Sequence, residues 1–279
     1  MLKLQPPRIK LAIIGFHIVL IAYALVVLYP VLIMLFSSIK TTRELYTNPY
    51  GFPQTPMWSN YIRAWQEANF GTYFKNSLYV TSLSTALILF LASMASYVLG
   101  RLTFRLNPWI YGFFVAGLLI PSRLAIIPLF LLMRELHLLN SHFGLMLVYT
   151  AGGMSFSIFL LTTFFRQIPR ELEEAAAVEG AGLFTIYWRI MLPLVRPALA
   201  TVGIFEFLHI WNDFFFPLIF LKSNKLLTVP VGLSVFFGEY ATDWALLFAA
   251  LTISIMPVLI MFAFMSRQFI AGLTSGAVK

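Results

Sequence analysis

Three ionisable side chains, Glu206, His209 and Asp213, recur at i, i+3 and i+7 within an otherwise apolar stretch of the chain. On a helix this spacing places them within about 60° of one another, on one stripe. Ionisable groups in an apolar span are costly and usually face a cavity or each other. The stripe therefore indicates either a polar wall that hydrogen-bonds a hydroxyl-rich ligand, or a structural set that pairs with Arg123, the backbone or another chain.

Catalysis by this stripe would need a nucleophile or a metal beside it. The chain has no cysteine, and its four histidines show no ligand-like clustering with carboxylates. It also lacks a P-loop or any other Gly-rich phosphate motif, so we do not expect the chain itself to bind ATP. The sequence predicts a protein that is not an enzyme and holds no metal or cofactor of its own.

A second group of charged residues forms a polar segment, residues 169–197, between two apolar runs. Pro169 suits the first turn of a helix, and three carboxylates follow where they interact favourably with the positive helix end, namely Glu171, Glu173 and Glu174. Gly180 and Gly182 permit a tight reversal, after which a second helix can run from about 183 to 191. We expect this helix–turn–helix to dock a partner. The alternative, an amphipathic helix on the membrane surface, would favour Lys and Arg over acids.

The composition sets these residues in a membrane protein. Apolar residues make up 60% of the chain, charged residues 11%, and the mean hydropathy is +0.85, whereas about a quarter of a soluble domain is charged. The net charge of +8 lies mainly at the ends of apolar runs. Basic residues there set topology, so nucleic-acid binding is disfavoured.

Six apolar runs are long enough to cross a bilayer as helices of about 20 residues. Long uncharged runs favour helices over barrel strands, and the first is too long for a cleavable signal peptide. The predicted spans are 11–37, 74–99, 108–132, 141–165, 197–220 and 244–265.

The basic residues also predict the orientation. With a cytoplasmic N-terminus, eleven of the nineteen lie on the cytoplasmic side and seven on the other, leaving Arg123 in the membrane. Both termini and the polar segment would then be cytoplasmic. Residues 40–73 would form an irregular external loop, because Pro49, Pro53 and Pro56 interrupt it.

The polar segment resembles the EAA loop of ATP-binding cassette (ABC) importer permeases. The resemblance is carried by Glu174-Ala175-Ala176, by Gly180 and by Ile190-x-Leu192-Pro193, with no departure in spacing. Glu179 stands where that family often has Asp. Four more stretches resemble the carbohydrate-type branch: 127–130, 138–140, 211–214, where Asp213 replaces the more common Glu, and the tail 272–279.

The resemblance implies an all-α integral membrane protein with six transmembrane helices, a type I ABC importer permease of the prokaryotic inner membrane. Its implied partners are a second homologous permease, two cytosolic ATPase subunits that hold ATP and Mg, and an extracytoplasmic solute-binding protein. Glu174 would pair with a basic residue in a cleft of the ATPase, and Gly180 would be the turn between two coupling helices. The implied ATPase-coupling residues are Glu174, Ala175, Ala176, Glu179, Gly180, Ile190, Leu192 and Pro193, with Thr274, Ser275 and Lys279 as a second contact.

The implied domains are a cytoplasmic N-terminus (1–10), a first helix with an external loop (11–73), a permease core (74–271) and a cytoplasmic tail (272–279). The expected substrate is a sugar or oligosaccharide, with a glycerol phosphate or an alditol as alternatives. Candidates for the translocation path are Glu206, His209, Asn212, Asp213 and Arg123. Two other classes stay open at this point: a secondary transporter that uses the stripe as a proton relay, and a membrane scaffold that only recruits a partner.

Overall fold

The structure, a computed structural model, describes residues 7–239 and 243–277, with side chains of residues 7–12, 235, 237–239 and 266–277 left out of the description. Every regular element in those ranges is helical, so the predicted all-α fold is confirmed. The helices are α1 (Pro7–Ser38), α2 (Thr42–Thr47), α3 (Ser59–Gln66), α4 (Phe70–Arg101), α5 (Asn107–Gly117), α6 (Ile126–Glu135), α7 (His142–Gln167), α8 (Glu171–Val178), α9 (Leu183–Ile186), α10 (Leu192–Leu194), α11 (Arg196–Trp211), α12 (Phe215–Phe220), α13 (Val229–Glu239) and α14 (Trp244–Ala277).

Four of these helices are long and apolar enough to cross a membrane. The spans are Ile13–Ser38, Phe70–Arg101, His142–Gln167 and Trp244–Met265. Two further bent pairs, Asn107–Gly117 with Ser122–Glu135 and Leu183–Leu194 with Arg196–Trp211, raise the number to six if each pair is one span. The exact number of six therefore stays a prediction.

The third predicted span, 108–132, is wrong as one continuous helix. α5 ends at Gly117, a 3-10 turn follows at Ser122–Ala125, and α6 leaves at 90° to α5. Pro121 lies at the break with extended backbone, ψ of 116°. Proline has no N–H to continue the helical ladder and biases the residue before it away from helical backbone, so the bend falls here.

The fifth predicted span, 197–220, is also interrupted. α11 ends at Trp211 and α12 begins at Phe215. The Asp213 carboxylate accepts the backbone N–H of Phe215 (3.2 Å) and of Phe216 (3.1 Å), which starts a new helix. Sequence reasoning also missed the apolar helix α13 between the fifth and sixth predicted spans.

The segment of residues 40–73 is more regular than predicted, because it contains α2 and α3. The Thr41 side chain caps α2 by accepting the N–H of Glu44 (3.1 Å). Lys40 is fully buried, and its Nζ donates to the carbonyls of Asn48 (2.7 Å) and Pro49 (3.3 Å). The Asn60 amide donates to the carbonyls of Ser38 (3.0 Å) and Lys40 (2.8 Å). The prolines make only the part between the two helices irregular.

The chain divides into two compact units. The first joins Met1–Phe70 to Val235–Ile255, and the second joins Gly71–Ser234 to Met256–Lys279. In the first unit, Asp243 accepts hydrogen bonds from Thr42 (2.9 Å), Arg63 (2.9 Å) and the N–H of Leu246 (3.2 Å). Burial alone would raise the pKa of Asp243, but these bonds and the Arg63 charge bring it below its ordinary value.

We predict that Asp243→Ala loosens residues 42–66. The variant loses a helix cap worth about 1 kcal/mol together with the contacts to Thr42 and Arg63. Digestion by proteinase K should cut residues 48–58 faster than in the parent chain. Because the folded-state pKa is lowered, the contribution is complete above the unfolded-state pKa of about 3.9 and is lost as pH falls through the folded-state value.

Glu67→Ala is the matched control, since it removes the exposed pair with Arg63 at i, i+4 and leaves Asp243 with Thr42, Arg63 and Leu246. Such a pair contributes about 0.3–0.5 kcal/mol. Equal cutting of the two variants would contradict the assigned role of Asp243.

Candidate functional site

The polar segment 169–197 folds as two helical stretches around a glycine turn. α8 carries the three glutamates in its first turn. Gly180 then adopts a φ of +83°, a left-handed backbone that favours glycine. The second stretch combines α9, a π-helical turn at Tyr187–Met191 and α10. At Val195 the chain turns by 74° into α11.

One face of the polar segment is part of the hydrophobic core. Ala176, Ile186 and Met191 are buried in one cluster with residues of α4, α7 and α11. Phe165, at the end of α7, belongs to the same cluster and is fully buried. The segment is therefore packed onto the spans of its own chain and is not a free surface helix.

Arg101, the last residue of α4, fixes the position of the polar segment. Its Nε donates to the Glu173 carboxylate at 2.6 Å, and its Nη1 donates to the carbonyls of Phe165 (3.2 Å) and Ile168 (2.7 Å). Its Nη2 also reaches the Pro169 carbonyl at 3.4 Å. The Arg101 side chain is only 3% exposed. One guanidinium thus joins α4, the carboxyl end of α7 and the first turn of α8.

Two more side chains of α4 contact the second half of the polar segment. The Ser93 and Tyr187 hydroxyls lie 2.8 Å apart, and the Tyr97 and Tyr187 rings lie 5.3 Å apart between centroids. Ser93, Tyr97 and Arg101 follow one another at intervals of four, so they share one face of α4. This four-residue spacing was visible in the sequence, but Arg101 was counted there only among the basic residues that predict the orientation.

The opposite face of the polar segment is exposed. Glu174 is exposed, and so are Val178 (90%), Leu183 (60%) and Phe184 (68%). Apolar side chains grouped beside carboxylates are typical of a protein–protein contact. Of the other predicted coupling residues, Ala175, Glu179 and Gly180 are exposed, Ala176 is buried, and Ile190, Leu192 and Pro193 are half-buried.

A separate cavity of about 450 Å³ lies in the second unit. It is bounded by α6, α7, α11, α12 and the 3-10 turn before α6. Its walls are mostly apolar and include Phe156, Phe205 and Phe216. Glu206 and His209 also line it, whereas Asp213, Asn212 and Arg123 do not.

Glu206 is placed between α7 and α11 by small side chains. It is 5% exposed, and its Oε1 accepts a hydrogen bond from Ser157 at 3.2 Å. A Cβ on Gly153 would lie 2.9 Å from Glu206 Oε2 and 2.6 Å from Ile88 Cδ1, so a larger residue there would displace both side chains. Ser157 and Gly153 are one helical turn apart, a spacing that the sequence analysis did not use.

Three other candidates for the translocation path, Asp213, Asn212 and Arg123, have partners within the chain. Asp213 accepts the Tyr149 hydroxyl at 2.8 Å in addition to its two backbone bonds. Asn212 donates to the Leu208 carbonyl (2.8 Å) on its own helix, and the Arg123 guanidinium lies 5.5 Å from the Phe215 ring centre. Among the described side chains, the ion pairs are Arg63–Glu67, Arg63–Asp243 and Arg101–Glu173. The pairing of Arg123 with Glu206 or Asp213 that the sequence left open is thus absent from that part of the chain.

The tail residues Thr274 and Ser275 lie on the last turns of α14, where side chains are not described. Lys279 lies outside the described residues. Their suggested contact with an ATPase stays a prediction.

Comparison with known proteins decides the family. Residues 92–274 match the family described as "Binding-protein-dependent transport system inner membrane component". The chain belongs to this family. The sequence resemblance to ABC importer permeases is thereby confirmed, and the protein is a transport subunit of the inner membrane, not an enzyme.

Individual relatives cover nearly the whole permease. The diacetylchitobiose uptake system permease protein of Streptomyces coelicolor is 36% identical, covering 94% of this chain and 88% of the relative. The melibiose/raffinose/stachyose import permease protein of Bacillus subtilis is 34% identical, covering 90% and 91%. A chain in the crystal structure of a bacterial ABC transporter that imports the acidic polysaccharide alginate has the same fold, with a TM-score of 0.83, 24% identity, and coverage of 95% and 99%.

We predict that Arg101→Ala detaches α8 from α4 and α7. Removing one partner of a buried ion pair costs on the order of 3 kcal/mol, and three backbone carbonyls lose their donor as well. The purified permease in detergent should show a lower midpoint of thermal unfolding. Protease cutting should become faster between residues 166 and 182.

Arg105→Ala provides the control, because Arg105 is exposed and lies one turn beyond the end of α4. It should unfold and digest like the parent chain. If Arg101→Ala did the same, the buried guanidinium would not be what holds the polar segment.

Proposed function

We propose that this chain is a permease subunit of an ATP-driven importer for a sugar or oligosaccharide, and that its polar segment couples an ATPase to the spans. The observation that carries the proposal is the two-sided polar segment. Its inner face is fixed to the chain's own spans by Arg101 and Tyr187, while its outer face exposes Glu174 and apolar side chains. A partner that grips the outer face can therefore move the inner one.

The proposed grip is a cleft on a cytosolic ABC ATPase. Glu174 would pair with a basic residue of the cleft, and Val178, Leu183 and Phe184 would bury apolar surface there. Each of these side chains is exposed in the chain by itself. Burial of apolar surface contributes roughly 25 cal/mol per Å² before the costs of association are subtracted, so these exposed apolar side chains would favour docking.

Motion of the gripped segment would reach α7 directly. Arg101 ties Glu173 to the last carbonyls of α7, and α7 supplies one wall of the membrane cavity. Close-packed elements shift between discrete arrangements rather than deform continuously. ATP-driven closure of the ATPase would thus change which side of the membrane the permease opens toward.

The sugar substrate is supported by relatives rather than by a bound ligand. Two relatives that cover at least 90% of this chain are named as permeases for diacetylchitobiose and for melibiose, raffinose and stachyose. If the assembled complex took up a glycerol phosphate or an alditol and no sugar, that compound would be the substrate. The proposed location is the prokaryotic inner membrane, with both termini cytoplasmic.

The complete importer would contain a second homologous permease, two ATPase subunits that bind ATP and Mg, and an extracytoplasmic solute-binding protein. In this chain the proposed permease core is 74–271, between a first helix with its loop (11–73) and the tail (272–279). Of the five path candidates, Glu206 and His209 border the cavity. Asp213 holds the α12 amides and Tyr149, so we assign it a structural role.

We predict that Glu174→Lys abolishes ATP-driven uptake in the reconstituted complex, because it reverses the charge at the proposed grip. The substrates to test are radiolabelled melibiose, raffinose and diacetylchitobiose. The permease itself should fold normally, since Glu174 is exposed and makes no described hydrogen bond with its side chain. Glu171→Lys is the control, a reversal on the same exposed first turn of α8. Full uptake by Glu174→Lys would sink the coupling proposal.

We also predict that Gly180→Ala is more harmful than Gly182→Ala. A side chain at the φ of +83° costs about 1–2 kcal/mol, whereas Gly182 has an ordinary φ of −72° and open space around its Cβ position. The strained turn should change the angle between α8 and α9 and lower uptake. The measurements are the uptake rate and the amount of complex recovered with its ATPase subunits. Equal uptake by the two variants would contradict a specific role for the Gly180 turn.

A further inference from the structure

We propose that the membrane cavity between α6, α7, α11 and α12 binds one uncharged sugar ring, with Glu206 accepting a ring hydroxyl. The inference rests on the proposed sugar import and adds a location and a charge preference to it. Every described residue that lines the cavity lies in the second unit of this chain.

The dimensions and walls of the cavity fit a ring. Its volume of about 450 Å³ falls in the usual range for small-molecule sites, roughly 300–1,000 Å³. Phe156 and Phe205 meet edge to face with their ring centres 5.6 Å apart, and Phe216 stands on another wall. The C–H face of a pyranose is apolar and packs on aromatic rings, while its hydroxyls need a few placed polar groups.

Glu206 offers the free hydrogen-bond capacity that a hydroxyl needs. A carboxylate can accept about four hydrogen bonds, but Ser157 is its one donor in the described part of the chain. The residue is 5% exposed and also lines the cavity. A buried acceptor left without donors is costly, so a ligand hydroxyl at Oε2 would stabilise the site. His209, one turn further along α11, can hydrogen-bond a second hydroxyl.

The lining of the cavity disfavours an anionic ring. No lysine or arginine belongs to the described lining, and Arg123, the basic residue among the predicted path candidates, lies over the Phe215 ring instead. A sugar carboxylate would find no cationic side chain in this lining, and an unpaired charge in an apolar cavity is costly. The site therefore suits a neutral sugar, and not an acidic one such as a unit of alginate.

The absence of native cysteine makes a protection experiment possible. Gly152 lines the cavity, and a Cβ there meets nothing within 4 Å, so Gly152→Cys places a thiol in the open space. The complex, without binding protein, is treated with methyl methanethiosulfonate, a small uncharged reagent, and labelling of this chain is followed by mass spectrometry. Methyl α-D-glucopyranoside and sodium glucuronate are the neutral and anionic probes.

The expected result is labelling that the neutral sugar slows. At a sugar concentration about ten times the Kd, the empty fraction and hence the labelling rate fall about tenfold. Glucuronate at the same concentration should leave the rate unchanged. Adding Glu206→Leu to Gly152→Cys should remove the protection by methyl α-D-glucopyranoside. Asn224→Cys, in an exposed polar turn outside the cavity, should label equally with and without sugar.

Several outcomes would overturn the inference. A Gly152→Cys thiol that does not label would mean that lipid or the second permease fills the cavity. Equal protection by glucuronate, or protection that survives Glu206→Leu, would refute the assigned chemistry. Ala151→Cys, at an exposed position in the same lining, replaces Gly152→Cys if that variant does not assemble.

ATP-driven uptake by the unmodified complex separates this inference from the proposed function. Uptake of a sugar without any protection at position 152 would refute the cavity site and leave the importer standing. Protection at position 152 without ATP-driven uptake of any sugar would support the cavity site and refute the proposed importer function.

Discussion

The buried guanidinium of Arg101 is the contact on which the arrangement of this permease depends. It meets one carboxylate, Glu173, and three backbone carbonyls at the end of α7. A buried charge is tolerated only when it is paired and hydrogen-bonded, so its partners have little freedom to separate. The ends of α4, α7 and α8 are therefore held together by this one side chain. A displacement of α8 would act on α4 and α7 through Arg101.

The apolar surroundings of the helices explain how polar groups near the helix breaks are partnered. Backbone groups at a helix break need partners when no water is available. Asp213 supplies them at the start of α12, and its remaining capacity goes to Tyr149. Glu206 is different, because one serine is its described donor and its carboxylate borders a cavity. Two acids about two turns apart on the same predicted stripe, Glu206 and Asp213, thus have different roles: Asp213 holds the start of α12, and Glu206 borders the cavity.

Short-range patterns in the sequence predicted the features that depend on residues close together in the chain, such as helices and turns. Uncharged runs predicted the long helices, Ser141 begins α7 as its cap, and Gly180 adopts the left-handed turn that its position suggested. The third and fifth spans were predicted as continuous because hydropathy does not register backbone breaks. Pro121 and Asp213 were visible in the sequence, yet whether each ends a helix depends on the carbonyls and amides around it.

The sequence by itself determined the membrane setting and the position of the polar segment, because these follow from composition and from residues close together in the chain. It also carried the motif resemblance to the family that the comparison confirmed. Only the tertiary structure decided which face of that segment is exposed to a partner. The buried face contacts Ser93, Tyr97 and Arg101, which lie about 70 to 95 residues earlier in the chain. The tertiary structure also decided that Glu206 rather than Asp213 faces the cavity. Both outcomes depend on which helices pack together. The periodicity of a helix indicates its apolar face but not the helix that packs against that face.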